Sequence, residues 1–309
     1  MTASQPAPLS SLSLPVADPE PELFRVTAIG SCRVVGPLRH ANASTDFALN
    51  QSGVYGYCHS SAEALQQLRV LQGEQDLPEH VLPIAAPRNA DNPDATTVHL
   101  PSDLYVVELS SAKVITVDGF CVQLNYLTRH FETFFEDRAR SRAYWRAVRE
   151  EDAAARKAVL DNAPARLPDD RYILDNLQME MSDEASLLAD IKEINASVPN
   201  ALFVTHFAAR KHDGVPLAAR EAYLRTLRRA LQAADVRYFD PSDYVEAFGQ
   251  SNALKDPDGS LSHYSVMFEK FLCDNWVNRY IQPLVHLRGM QISHRRKTYA
   301  PSERQAVGV

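Results

Sequence analysis

The sequence predicts an α/β fold, a three-layer sandwich with a central parallel sheet of about five strands plus a helical insertion, on three observations. Residues 103–109, 201–206 and 236–240 are short, nearly continuous apolar runs bounded by polar residues, the pattern of strands buried on both faces. Between the last two lies a helical stripe of Tyr223, Leu227, Ala230, Leu231 and Ala234. A further apolar run, residues 23–29, enters the turn Gly30-Ser31-Cys32-Arg33, after which residues 35–38 can open a helix. Strand and helix in alternation imply a parallel sheet with helices on both faces.

Composition narrows the function. A chain of 309 residues with 45% apolar content can bury a sizeable core. A formal net charge of -7 argues against a general nucleic-acid binder, which needs clustered Lys and Arg. No apolar run reaches the length of a membrane span, and the N-terminus lacks a basic region followed by an apolar core; a cytoplasmic protein with no membrane partner is expected. Cys32, Cys58, Cys121 and Cys273 form no Cys-x-x-Cys pair, so neither a zinc site nor a disulfide framework is indicated.

In chain order, residues 1–21 carry Pro6, Pro8, Pro15, Pro19 and Pro21 among Ser and Ala and are expected to be a disordered leader. The core is expected at 22–119 and 198–290. Residues 46–50 read as a second strand leading into a loop at 51–56. Ser60 and Glu63 then form a capping box for a helix with Leu65, Leu68 and Leu71 at helical spacing, stopped by Gly73. Residues 74–102, rich in Pro, Asn and Asp, read as a long surface connection. Residues 120–197 interrupt the alternation as a helical insertion or cap, whose first part, 120–149, has the character of one helix of about 45 Å. Its arginines, Arg138, Arg140, Arg142, Arg146 and Arg149, alternate with acids. They suit a solvated face, a cap gripping an anionic substrate or coenzyme phosphate, or a homodimer surface. A helix near 264–280 carries Phe268, Phe271, Leu272 and Trp276, and 291–309 is expected to be a flexible basic tail.

Ligands of an open parallel sheet bind outside the carboxyl ends of its strands. Those ends hold residues 30–33, 50–56, 108–111, His206 and 240–242. Cys32 at a helix N-terminus, with Arg33 beside it, is expected to lose its proton more easily than a free thiol. A loop rich in Pro, Asp and Gly delivers His263, suited to a general base. Each residue also has a plainer role: Cys32 as a small buried hydrophobe, Asn50 and Gly53 as turn formers, His206 as a hydrogen-bonded core histidine. Cys32, His206, His212 and His263 could meet around a metal, but no close ligand spacing supports one, and none is expected.

These blocks resemble the SGNH (GDSL-like) hydrolase superfamily, in particular its cysteine-bearing branches, the GSCFA family and capsular-polysaccharide acetyltransferases. Gly30-Ser31-Cys32 is similar to the first block, with Cys32 at the nucleophile position; Asn50, Gly53 and Gly56 are similar to the second. Ser110 and Ser111 stand where the third block carries its oxyanion Asn, and the Asp-x-x-His block matches the run ending in His263, with Ser260 at the Asp position and Asp258 two residues earlier. The resemblance implies an SGNH/flavodoxin-like core and acyl transfer or ester hydrolysis through a thioester. Cys32 would be the nucleophile, His263 the base and Asp258 its orienting carboxylate. Ser31, Arg33, Asn50, Gly53, Ser110, Ser111 and His206 would bind substrate or the oxyanion. It implies no permanently bound cofactor, acetyl-CoA or another acyl-CoA as a donor, and a glycan or other hydroxyl-bearing acceptor. A catalytically silent relative that binds a glycan or partner is the alternative.

Overall fold

The computed structural model describes residues 23–42, 47–87, 98–163, 171–257, 259 and 261–299. The leader expected at 1–21 lies outside them. Strand β1 (Phe24–Ile29) ends at Gly30, and α1 (Cys32–Asn42) follows at once. Then come β2 (Phe47–Leu49) and α2 (Ser61–Leu71), whose N-cap Ser60 accepts the Glu63 amide as the spacing predicts. A short α3 (Leu82–Ala85) interrupts the expected surface connection, and β3 (Leu104–Leu109) is buried throughout. Next are β4 (Lys113–Val117), β5 (Phe120–Cys121), α4 (Leu124–His130), α5 (Glu132–Phe135), α6 (Arg138–Arg149), α7 (Ala153–Asp161), α8 (Arg171–Asn176) and β6 (Gln178–Met181). The chain continues through α9 (Glu184–Ser197), β7 (Ala201–Thr205), α10 (Ala218–Ala233), β8 (Tyr238–Phe239), α11 (Ser242–Phe248), α12 (Gln250–Ala253) and α13 (Val266–Trp276). A π turn (Val277–Ile281) joins α13 to α14 (Gln282–Tyr299), so the expected basic tail begins inside a helix. Among the described residues no helix is long and apolar enough to cross a membrane.

Five parallel strands form the central sheet in the order β2-β1-β3-β7-β8, with Ile29 opposite Val107 and Leu109 opposite Thr205. One face packs on α1 and α13 through Val34, Leu38, Phe268, Leu272 and Trp276. The other packs on α2, α9 and α10 through Leu65, Leu68, Ile191, Leu227 and Leu231. The three-layer α/β sandwich is thus as the sequence predicts. Its strand order reverses between β1 and β3, which opens a crevice beyond their carboxyl ends.

The insertion differs from its expected form. Asp118 (φ 52°) and Gly119 (φ 80°) both sit in the left-handed region and close a two-residue hairpin between β4 and β5. With β6 these strands make a separate three-stranded antiparallel sheet, order β5-β4-β6. The single helix expected over 120–149 is therefore a strand and three helices, the last begun by Asp137, which accepts the amides of Ala139 and Arg140. A second core of Ile115, Val117, Leu127, Phe131, Phe134, Tyr144 and Leu174 holds the unit together. Its core takes in Val81, Ile84 and Ala85 around α3 as well as the span from β4 to β6, whereas α9, expected inside the insertion, buries Leu187, Ile191 and Ile194 in the main core.

Candidate active site

Beyond the carboxyl ends of β1 and β3 lies a cavity of about 440 Å³, within the range of small-molecule sites. Cys32 and His263 line it, and Cys32 Sγ lies 3.3 Å from His263 Nδ1 across 231 residues of sequence. The turn that sets the cysteine is built around Glu108. Gly30 has φ +154°, and a Cβ there would sit 2.5 Å from Glu108 Cβ. Only glycine allows β1 to approach the end of β3 so closely. Ser31 N–H donates to Glu108 Oε2 at 2.6 Å, and Ser31 O accepts the amides of Val34 and Val35, which starts α1 with Cys32 in its first turn.

Arg33, expected as a substrate-binding residue, turns inward. Its Nε donates to Glu108 Oε1 at 2.6 Å, its Nη2 pairs with the same oxygen at 2.5 Å, and both side chains are almost fully buried. Its remaining arm, Nη1, donates to Ser262 O at 3.0 Å, and Arg220 Nη1 donates to the neighbouring Leu261 O at 2.9 Å. Two guanidinium groups therefore hold the loop that presents His263. Leu261 completes the bend with a left-handed φ of 48°.

These charges decide the state of the thiol. Burial raises the Cys32 pKa; Arg33 opposes it, while Glu108 and Glu269 add to it. The expected acid shift at Cys32 is not found, because Arg33 is neutralised by Glu108 and burial outweighs the rest. The balance favours the thiol form of Cys32. Glu108 itself, fully buried, is held below the usual carboxylate range by Arg33 and Ser31 against the cost of burial.

Ser31, Arg33, Ser110, Ser111 and His206 also line the cavity, as the sequence suggests. Asn50 and Gly53 do not. Asn50 donates to Leu100 O and Ser102 Oγ and accepts from Ser52, and Gly53 (φ +71°) turns the loop along a separate apolar cleft with Val70, Leu71 and Tyr105. Their arrangement is that of turn formers. Asp258 lies outside the described residues. The insertion walls the cavity through Lys113, Ile115, Leu124 and Asn125, while the arginines of α6 are absent from its described lining. Arg140 instead donates to the carbonyls of Thr133 and Phe134. Among the described residues, no three His, Cys, Asp or Glu side chains could hold a metal.

Several lining or supporting residues, among them Glu108, His59 and Glu63, were given no role in the site by the sequence reading, although it put residues 108–111 at the strand ends and Glu63 in a helix cap. Glu108 had a signal, a lone charge inside an otherwise apolar central strand. His59 and Glu63 had none of their own. Glu63 lies at the cavity floor with Oε2 accepting the His59 amide at 2.7 Å, and burial lifts its pKa to about 7.

Comparison with known proteins places this chain in a family. Over 251 residues, 80% of this chain, the sequence is 36% identical to the Vi polysaccharide biosynthesis protein TviD of Salmonella typhi. The match covers 30% of that protein, so the chain spans about a third of its relative's length. Among solved structures, a variant of Axe2, an acetyl xylan esterase from Geobacillus stearothermophilus, aligns over 82% of this chain and 93% of its own with a TM-score of 0.34 and 11% identity. A second Axe2 variant, an acetyl-xylooligosaccharide esterase, aligns over the same shares with a TM-score of 0.33 and 10% identity. Likeness at that level carries no function. The model of the TviD N-terminal domain matches residues 24–279, nearly all of the described fold, and the chain belongs to that family.

Proposed function

We propose that this chain is an SGNH-like acyl-transfer enzyme that uses Cys32 as nucleophile and His263 as general base. One observation supports it above the others: a thiol and an imidazole 3.3 Å apart, far separated in sequence, in a cavity at the switch point of a parallel sheet. The name of the relative in Salmonella typhi points to polysaccharide as the material acted on.

The chemistry follows from a neutral thiol. As Sγ attacks the acyl carbonyl, its proton passes to His263 Nδ1, so no prior ionisation is needed. The C–S bond forms and the carbonyl oxygen takes up negative charge. Collapse of this adduct expels the donor's leaving group, which takes the proton from His263 and leaves a thioester on Cys32. A glycan hydroxyl then gives its proton to His263 and attacks the thioester, releasing the acyl ester and the thiol; water in its place gives hydrolysis. The Cys32 amide suits the oxyanion because, among the described residues, its N–H has no acceptor, whereas that of Ser31 is held by Glu108. An acyl-CoA is the donor class the resemblance implies.

Intact-protein mass spectrometry after brief exposure to acetyl-CoA or an activated acetyl ester tests this. A single acetyl adduct on the wild type, absent from both Cys32→Ala and His263→Ala, is expected. An adduct that survives loss of Cys32, or none at all, overturns the covalent mechanism and leaves a binding role for the cavity.

A further inference from the structure

Besides His263, two imidazoles line the cavity, and neighbouring hydrogen bonds hold each in one tautomer. At His206, the Phe207 N–H donates to Nδ1 at 2.7 Å. Nδ1 is therefore bare, and in the neutral ring the proton is on Nε2. At His59 the assignment passes through Gln123. The Gln123 Oε1 accepts the Tyr126 amide at 2.9 Å, which leaves its Nε2 as the group 2.9 Å from His59 Nδ1. An amide nitrogen only donates, so His59 Nδ1 also accepts and its proton is also on Nε2. Among the described residues, neither Nε2 has a protein acceptor.

Both rings are also kept neutral. Burial lowers the His206 pKa well below its usual value, and Arg33 and Arg220 push the same way. Burial lowers that of His59, with Arg33 adding and Glu108 opposing. Three backbone donors near the cysteine are occupied: the amides of Ser110 and Ser111 both donate to His59 O, at 2.7 and 2.9 Å, and that of Arg33 reaches Ser31 Oγ. The loop after β3 thus positions His59 and spends the amides of Ser110 and Ser111 on it.

We infer that His59 and His206 present their Nε2–H groups, beside the Cys32 amide, to the carbonyl oxygen of the acyl group that Cys32 attacks. They take the place of the side-chain amide that the sequence lacks after β3. Neither ring gives up its proton during the step; each donates a hydrogen bond that strengthens as the oxygen becomes anionic. The assignment rests on the acyl-transfer reading above.

The test compares two reactions of one sulfur. Acylation of Cys32 by p-nitrophenyl acetate builds an oxyanion, whereas alkylation by iodoacetamide does not. His59→Leu and His206→Leu are each expected to slow acylation by about 100- to 1000-fold, the usual effect of losing one oxyanion donor, with the alkylation rate and its pH profile kept within about threefold. His206→Gln, which retains a donor, should recover part of the loss. Equal falls in both reactions, or unchanged acylation, overturn the assignment. Imidazole 15N–1H correlation spectra of the wild type need no variant to fold: protonated Nε2 and bare Nδ1 in both rings are expected at pH 8 to 9, and a protonated Nδ1 in either refutes it. A wild type that alkylates at Cys32 but takes no acyl group sinks the acyl-transfer reading itself, and this assignment with it.

Discussion

Removing Arg33 or Glu108 is expected to destabilise the fold strongly and to move the Cys32 thiol in opposite directions. The pair is buried to 7% and 1% side-chain exposure, and Glu108 accepts from Arg33 Nε, from Arg33 Nη2 and from the Ser31 amide. Breaking one side of such a pair costs about 3–5 kcal/mol, because the remaining charge stays buried. Arg33→Met and Glu108→Gln should each fall in that range. The double variant, with no buried charge and a Gln oxygen still able to accept the Ser31 amide, should cost less than their sum by about 2–3 kcal/mol. The pH dependence has a definite sign. Arg33 holds the Glu108 pKa down in the wild type, so that contribution is present above the unfolded carboxylate value and is lost as pH falls through the folded one. Without Arg33, burial raises the Glu108 pKa, and the destabilisation of Arg33→Met should be larger at pH 8 than at pH 5. Urea unfolding followed by circular dichroism and tryptophan fluorescence measures the energies. The pH profile of iodoacetamide alkylation should move to higher pH in Arg33→Met and to lower pH in Glu108→Gln, since Arg33 lowers the thiol pKa and Glu108 raises it. Additive costs, or profiles that move the same way, would refute the coupling.

Gly30→Ala places a Cβ 2.5 Å from Glu108 Cβ and 2.8 Å from Val34 Cγ2 at a positive φ; a loss of about 1–3 kcal/mol is expected in thermal unfolding, and an unchanged melting temperature contradicts the close approach. Glu63, with a folded pKa of about 7 against 4.5, favours the folded state most when protonated, so stability should decline as pH rises from about 4.5 to 7, by up to about 3 kcal/mol. Glu63→Gln should flatten that part of the wild-type stability curve, and parallel curves would remove Glu63 as its source. Arg220→Met releases Leu261 O from the loop bearing His263 and removes a charge that holds His206 neutral. Acetylation of Cys32 should slow about tenfold or more, as for small misplacements of a catalytic group, and the His206 titration seen by NMR should move upward.

Local signals in the chain decided a good deal. The apolar runs that became β1, β3 and β7, the cap at Ser60 and the stripe of α10 were all readable, because each expresses burial at the period of its own element. The glycine turn and the Pro/Asp/Gly-rich loop at 256–264 put Cys32 and His263 at the mouth of the sheet, because ligands of an open parallel sheet bind outside the carboxyl ends of its strands. Even the hairpin was legible in principle from Asp118-Gly119, a two-residue turn pair of positive φ that makes residues 120–121 a returning strand instead of the start of a long helix. The ionisation of the thiol was not, because Arg33 looks like an activating neighbour until Glu108, 75 residues away, is seen to neutralise it. Nor were the tautomers of His59 and His206. What sequence spacing conveys is which face of an element is buried. Which charge meets which, and which nitrogen keeps its proton, depends on partners brought together only when the sheet, the loop and the insertion close over one cavity, where low dielectric makes those pairings decisive.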